Sequence, residues 1–173
     1  MLDKNNAMSL PNAITIFRII IAPIICVLIS YELSIYACVC FIAACTSDFF
    51  DGYTARLYKL SSKFGQHFDS FADKFLITSI SIALVQNQIV RGVNVVPIYV
   101  IVSRNLAMYF IRNYVNEVKH KNIIVNSFGK FTTFAQMVSI SLLIVGFAQI
   151  GNYILWFSMI SSLYSFGIYF YSI

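Results

Sequence analysis

Asp48, Asp51, Asp69 and Asp73 fall within the stretch SDFFDGYTARLYKLSSKFGQHFDSFADKF, and they are four of the five aspartates in a chain that is 59% hydrophobic and 11% charged. A carboxylate at the centre of a membrane-spanning helix costs about 2.5 to 3.5 kcal/mol on insertion scales, so four in one stretch require compensation. Bound cations are the obvious form of it. Oxygen-rich donor sets suit Mg²⁺ or Mn²⁺, which take carboxylates, water and substrate phosphates as ligands. The residue types therefore point to metal-assisted chemistry at phosphate.

The elements that must position these groups are apolar helices. A soluble domain carries roughly 25% charged residues, far above the fraction here, and the mean hydropathy is +0.77. Spanning helices need about 20 apolar residues each, and six such runs are legible: 13–30, 34–55, 68–85, 93–114, 131–148 and 153–170. They use almost all of the 173 residues. The expectation is one all-α domain, a polytopic six-helix membrane bundle over 1–173, with no second domain and no cleavable leader. Arg56, Lys59 and Lys63 crowd the connection between spans two and three, and Lys119, Lys121 and Lys130 that between four and five, which predicts those loops on the cytoplasmic side. Lys4 agrees with both termini lying there and Arg91 dissents. The net charge of +5 clusters at helix ends, which suits topology and anionic phosphates rather than nucleic acid.

Other reactive residue types are read more plainly. Cys26, Cys38, Cys40 and Cys45 lie in apolar spans and are expected to pack as small hydrophobes. The Cys38-x-Cys40 spacing turns the two side chains roughly 200° apart on a helix, too far to share one ion. His67 and His120 are isolated, and Trp156, Tyr164, Tyr169 and Tyr171 read as interfacial anchors.

On helices, Asp48 and Asp51 are three apart and Asp69 and Asp73 four apart, so each pair projects from one face of its own helix. Gly52 follows the second aspartate, and Gly65 lies one turn before the third, where the missing side chain admits a ligand or a neighbouring helix. Arg56 can complement an anionic substrate, and Lys74 balances the carboxylates. The residues alone also allow a proton or cation relay, or carboxylates paired internally with Arg56 and Lys74.

In full, the pattern is Asp48-x2-Asp51-Gly52-x2-Ala55-Arg56-x8-Gly65-x3-Asp69-x3-Asp73, eight specified residues over 26 positions. It resembles the signature of the CDP-alcohol phosphotransferase family at every position. The resemblance implies a six-helix membrane enzyme, a homodimer, that transfers a phosphatidyl-type group from a CDP-linked lipid to an alcohol and releases CMP. It further implies that Asp48, Asp51, Asp69 and Asp73 hold two divalent cations, Mg²⁺ or Mn²⁺, with Asp73 also the general base. Gly52, Ala55, Arg56 and Gly65 would bind the CDP-lipid, the small residues making room and Arg56 meeting the nucleotide or its phosphates.

The similarity extends along the chain. Pro11-Asn12-Ala13-Ile14-Thr15-Ile16-Phe17-Arg18 resembles a PNxLTxxR opening, with Ile14 in place of leucine, found in the branch of the family that uses glycerol 3-phosphate. Gly129-Lys130-Phe131-Thr132-Thr133-Phe134-Ala135-Gln136-Met137 resembles that branch's GKxKTxxQM segment, and Arg104 and Arg112 match arginines of the fourth span. By this resemblance Arg104, Arg112, Lys130 and Thr132 would surround the acceptor phosphate, which Arg grips bidentately and Lys meets as a point charge. Three positions depart from the pattern: Thr132 replaces a lysine, Asn105 a glutamate after Arg104, and Ser70 a proline. The expected reaction joins CDP-diacylglycerol and sn-glycerol 3-phosphate at the cytoplasmic face of a bacterial inner membrane. Phosphatidylglycerol is the alternative acceptor, and a non-catalytic transporter or lipid-binding scaffold the alternative of another class.

Overall fold

Among the described residues the chain is all-helical. The computed structural model describes the backbone over 4–58, 63–118 and 127–171, and side chains over 15–47, 68–111 and 131–168 together with Val115 and Gly129. Six α-helices occupy these stretches: α1 Lys4–Ser30, α2 Ser34–Tyr58, α3 Lys63–Gln86, α4 Val95–Val118, α5 Ser127–Val145 and α6 Ala148–Tyr171, with a 3₁₀ turn at Gly92–Asn94 leading into α4. Pro97 stands in the first turn of α4, where a missing N–H removes no intrahelical bond.

The six helices match the six apolar runs, with shifted ends. α1 begins at Lys4 rather than near residue 13, because KNNAMS is polar yet helix-compatible and hydropathy marks only the apolar part of a helix. α5 stops at Val145 and α6 restarts at Ala148, whereas the hydropathy pattern places the break near 149–152. Gly146 makes the difference. Its φ of 101° lies in the left-handed region, its N–H bonds the Leu143 carbonyl at 3.2 Å, and the Phe147 N–H bonds Leu142 at 2.9 Å. This pair of bonds satisfies carbonyls that a helix end otherwise leaves open. The same pair closes α1 (Glu32 to Ile29 and Leu33 to Leu28) and α3 (Gln88 to Val85 and Ile89 to Leu84). There the left-handed residues are Glu32 and Gln88, which carry side chains.

The chain divides into two units, Met1–Ile80 and Ser81–Ile173, the boundary falling within α3. In the first, α1 packs on α2. Each helix buries one stripe at helical spacing: Ala22, Ile25 and Ile29 on α1, Ala37, Phe41 and Ala44 on α2, and Ala72, Leu76 and Ile80 on α3. In the second unit, α5 and α6 form an antiparallel hairpin, its register fixed by Ser139 Oγ donating to the Gly151 carbonyl at 2.8 Å and by Thr132 Oγ1 lying 3.1 Å from Ser161 Oγ. α4 runs parallel to α6, tied by Trp156 Nε1 to Asn94 Oδ1 at 3.0 Å and Arg104 Nη2 to Ser165 Oγ at 3.3 Å. Trp156, expected to be an interfacial anchor, thus donates its indole N–H within the protein.

The polarity of burial is unusual. Val39, Phe110 and Tyr153 are 62%, 67% and 77% exposed, while Arg18, Asn105, Thr132, Gln136 and several serines are buried. By length and composition, Gly92–Ile111 is the one stretch among the described residues able to cross a membrane; Thr15–Ser30, Ser34–Ser47 and Phe131–Val145 are apolar but shorter. The four cysteines form no disulfide, and Cys38 is buried, in keeping with their reading as small hydrophobes.

The α5–α6 hairpin rests on close approach at Gly151. A Cβ there would lie 2.8 Å from Leu143 Cγ, 2.9 Å from its Cδ2 and 3.3 Å from its backbone nitrogen, whereas at Gly167 nothing lies within 4 Å. Gly151→Ala is therefore expected to destabilise the protein by about 1 to 3 kcal/mol, the cost of overpacking, and Gly167→Ala to leave stability equal or slightly raised. Thermal unfolding in detergent checks this. Equal midpoints for the two variants would contradict the packing described.

Candidate active site

Of the four signature aspartates, Asp69 and Asp73 are described with their side chains, one turn apart on α3. A Cα–Cβ bond leans toward the helix N-terminus, so residues four apart stack on one face. Asp69 Oδ1 accepts from Arg18 Nη2 at 2.7 Å, a charge-assisted bond linking α3 to α1 across 51 positions of sequence. Arg18 is 1% exposed while the Asp69 side chain is 47% exposed, so the guanidinium holds the carboxylate from its buried side and leaves its other side open. Asp73 is more enclosed at 17%, and its Oδ2 accepts from Lys74 Nζ at 3.0 Å. The pairing of Lys74 with a carboxylate agrees with the expectation from sequence.

Asp48, Asp51, Gly52, Ala55 and Arg56 belong to α2, and Gly65 to the first turn of α3; their side chains, and that of His67, lie outside the described residues. His120 lies outside them entirely. Among the described residues no group of three or more His, Cys, Asp or Glu side chains gathers as a metal site. The described donors do fit the expected cations in kind. Asp69 and Asp73 offer carboxylate oxygens on successive turns, each with one oxygen engaged by a basic side chain, and hard oxygen donors are what Mg²⁺ and Mn²⁺ accept.

The proposed acceptor residues lie on α4 and α5. Arg104 is half-buried on α4, with Nη1 3.3 Å from Asn105 Oδ1 and Nη2 3.3 Å from Ser165 Oγ. Asn105 Nδ2 in turn donates to Gln136 Oε1 at 3.3 Å. Thr132, fully buried one turn before Gln136, touches Ser161. Arg112 and Lys130 are on α4 and α5, with side chains outside the described residues. The geometry thus joins Arg104, Asn105, Gln136 and Ser165 in one polar group spanning three helices, and places Thr132 in a separate contact with Ser161, one turn before Gln136 and Ser165 on their respective helices.

Sequence reasoning named Arg18 only as part of an opening motif, and it did not name Gln136, Ser161 or Ser165 as site residues. For Arg18 a signal existed: Thr15 and Arg18, three apart, are polar residues on one face of an apolar helix, and both are buried. The α6 serines carry no local signal, because small hydroxyl residues are ordinary at helix interfaces.

The Arg18–Asp69 contact is measurable. In detergent unfolding, Arg18→Gln and Asp69→Asn are expected to be non-additive, with a coupling of about 0.5 to 3 kcal/mol as for groups in direct contact. Losses that simply add would show that the 2.7 Å contact does not operate.

Comparison with known proteins accords with the signature. The family profile described as CDP-alcohol phosphatidyltransferase matches residues 8–164. A CDP-diacylglycerol–glycerol-3-phosphate 3-phosphatidyltransferase of Rickettsia prowazekii is 36% identical over 148 residues, covering 84% of this chain and 77% of that protein. Proteins of the same name from Cereibacter sphaeroides and Escherichia coli are 36% and 30% identical, over 80% and 79% of this chain and 64% and 76% of their own lengths. With the profile covering nearly the whole chain and the aspartates in place, the chain belongs to the CDP-alcohol phosphatidyltransferase family.

Proposed function

We propose that this protein transfers the phosphatidyl group of CDP-diacylglycerol to the free primary hydroxyl of sn-glycerol 3-phosphate, giving phosphatidylglycerophosphate and CMP. The observation that carries the reading is the complete eight-residue signature from Asp48 to Asp73, of which Asp69 and Asp73 stand one turn apart on α3. The names of the relatives support the substrate pair.

In this reading the acceptor oxygen bonds to the phosphorus that carries diacylglycerol, the bond from that phosphorus to the CMP oxygen breaks, and the hydroxyl proton passes to Asp73. Asp48, Asp51, Asp69 and Asp73 would hold two divalent cations, which when bound neutralise the diphosphate oxygens and stabilise the departing CMP phosphate. Gly52, Ala55 and Gly65 leave room for the nucleotide, and Arg56 meets it or its phosphates. Arg18 fixes Asp69 from the buried side. Arg104, Arg112 and Lys130, with Thr132 beside them, receive the acceptor phosphate.

We also propose that the chain crosses a bacterial inner membrane six times, with the site at the cytoplasmic face, and that it assembles as a homodimer. The many large apolar side chains exposed on the outside, with several polar ones buried, suit a lipid surrounding. Its hydroxyls behave accordingly: Ser30, Thr46, Ser103, Thr133 and Ser141 each donate to the carbonyl four residues back, satisfying themselves within their own helix.

Purified protein supplied with CDP-diacylglycerol, Mg²⁺ or Mn²⁺ and a panel of acceptors should form phosphatidylglycerophosphate from glycerol 3-phosphate, identified by mass spectrometry. Product from phosphatidylglycerol alone would make it a cardiolipin synthase instead. Asp73→Asn should abolish transfer while CDP-lipid binding partly survives; equal loss of binding and turnover at Asp73 and Asp48 would argue against Asp73 as base. For topology, single cysteines near Lys63 and Lys121 should be labelled from the cytoplasmic side and one near Gly151 from the opposite side. Labelling of Lys63 and Gly151 positions from one face would overturn the six-span arrangement.

A further inference from the structure

The polar group on α4, α5 and α6 has a direction. A guanidinium donates and never accepts, so the atom of Asn105 that meets Arg104 must be its oxygen, which turns the Asn105 amide nitrogen toward Gln136. Gln136 accepts with Oε1 and is left with its own amide nitrogen as a donor. That nitrogen is buried, on a side chain 2% exposed, and has no hydrogen-bond partner among the described residues; the same holds for Arg104 Nε. The network therefore retains two unpartnered N–H groups, one on Gln136 and one on Arg104, and what such groups require is an acceptor. Arg104's polar contacts among the described residues, Asn105 and Ser165, are both neutral, so its charge is not cancelled by a carboxylate there.

We propose that Asn105 is the specificity-determining residue of this acceptor site: as an amide it relays from Arg104 to Gln136 without quenching the guanidinium, so that Arg104 supplies the positive charge and Gln136 a neutral donor for the acceptor phosphate. The inference rests on the assignment of glycerol 3-phosphate as acceptor. It also accounts for two departures from the family pattern together. A glutamate at 105 would pair with Arg104 and accept from Gln136, withdrawing that guanidinium from the phosphate; a lysine at 132, one turn before Gln136 on α5, would restore a positive charge beside those of Arg112 and Lys130. Here both charges are gone at once: Asn105 bonds Gln136, Thr132 sits one turn before Gln136 on α5 in contact with Ser161, and the summed charge of positions 105 and 132 is unchanged.

The test compares Asn105→Glu with the double variant Asn105→Glu/Thr132→Lys, each purified in lipid nanodiscs with Mg²⁺. Asn105→Glu should raise the apparent KM for glycerol 3-phosphate by about tenfold or more, the scale of a charge-assisted phosphate contact, while KM for CDP-diacylglycerol stays within about twofold. Adding Thr132→Lys should recover most of the loss. If Asn105→Glu does not fold, Asn105→Asp carries the same charge on a shorter side chain and the same expectation. An unchanged acceptor KM, a parallel rise for both substrates, or no recovery in the double variant would overturn the proposal. These outcomes are separate from failure of the functional reading, which is a wild-type protein that makes no phosphatidylglycerophosphate.

Discussion

Every charged group in the interior of this chain must find its partner there. An isolated buried charge costs far more than a paired one, and Arg18, 1% exposed, is such a charge. Arg18 meets Asp69 and Lys74 meets Asp73 under this constraint. The same constraint explains the serines and threonines that turn back onto their own helix carbonyls. Carboxylates held this way are fixed and available for ligands, because each basic partner engages one oxygen of two.

The second unit solves the problem differently. Arg104 is met by neutral oxygens, and Asn105 passes the hydrogen-bond direction on to Gln136. In the proposed reading the carboxylates that hold cations lie on α2 and α3, and the donors that meet the acceptor phosphate lie on α4 and α5. A transferase joining a diphosphate donor to a phosphorylated alcohol needs both kinds of group, and the chain carries them on different helices.

Much of this was legible in the sequence. Six helices follow from six apolar runs, because helix and burial both leave a hydropathy trace over about 20 residues. The helix ends did not follow, since Gly146 and the side-chain-bearing residues Glu32 and Gln88 set them through left-handed backbone that hydropathy does not register. Asp69 and Asp73 stood out by type and spacing. Arg18 as the partner of Asp69 did not, because a contact across 51 residues is a property of packing. The departures at Asn105 and Thr132 were visible singly; that Asn105 bonds Gln136, one turn after Thr132 on α5, is a property of packing.

The central claim is that the aspartates of α2 and α3 exist to hold divalent cations for phosphatidyl transfer. Mn²⁺ binding followed by electron paramagnetic resonance, on protein in nanodiscs with CDP-diacylglycerol present, addresses it without reference to turnover. The account predicts about two Mn²⁺ bound per chain, as in two-metal phosphoryl-transfer sites, and loss of at least one on Asp69→Asn. Saturating Mn²⁺ that leaves no bound signal, or the same stoichiometry in Asp69→Asn as in the wild type, would contradict it.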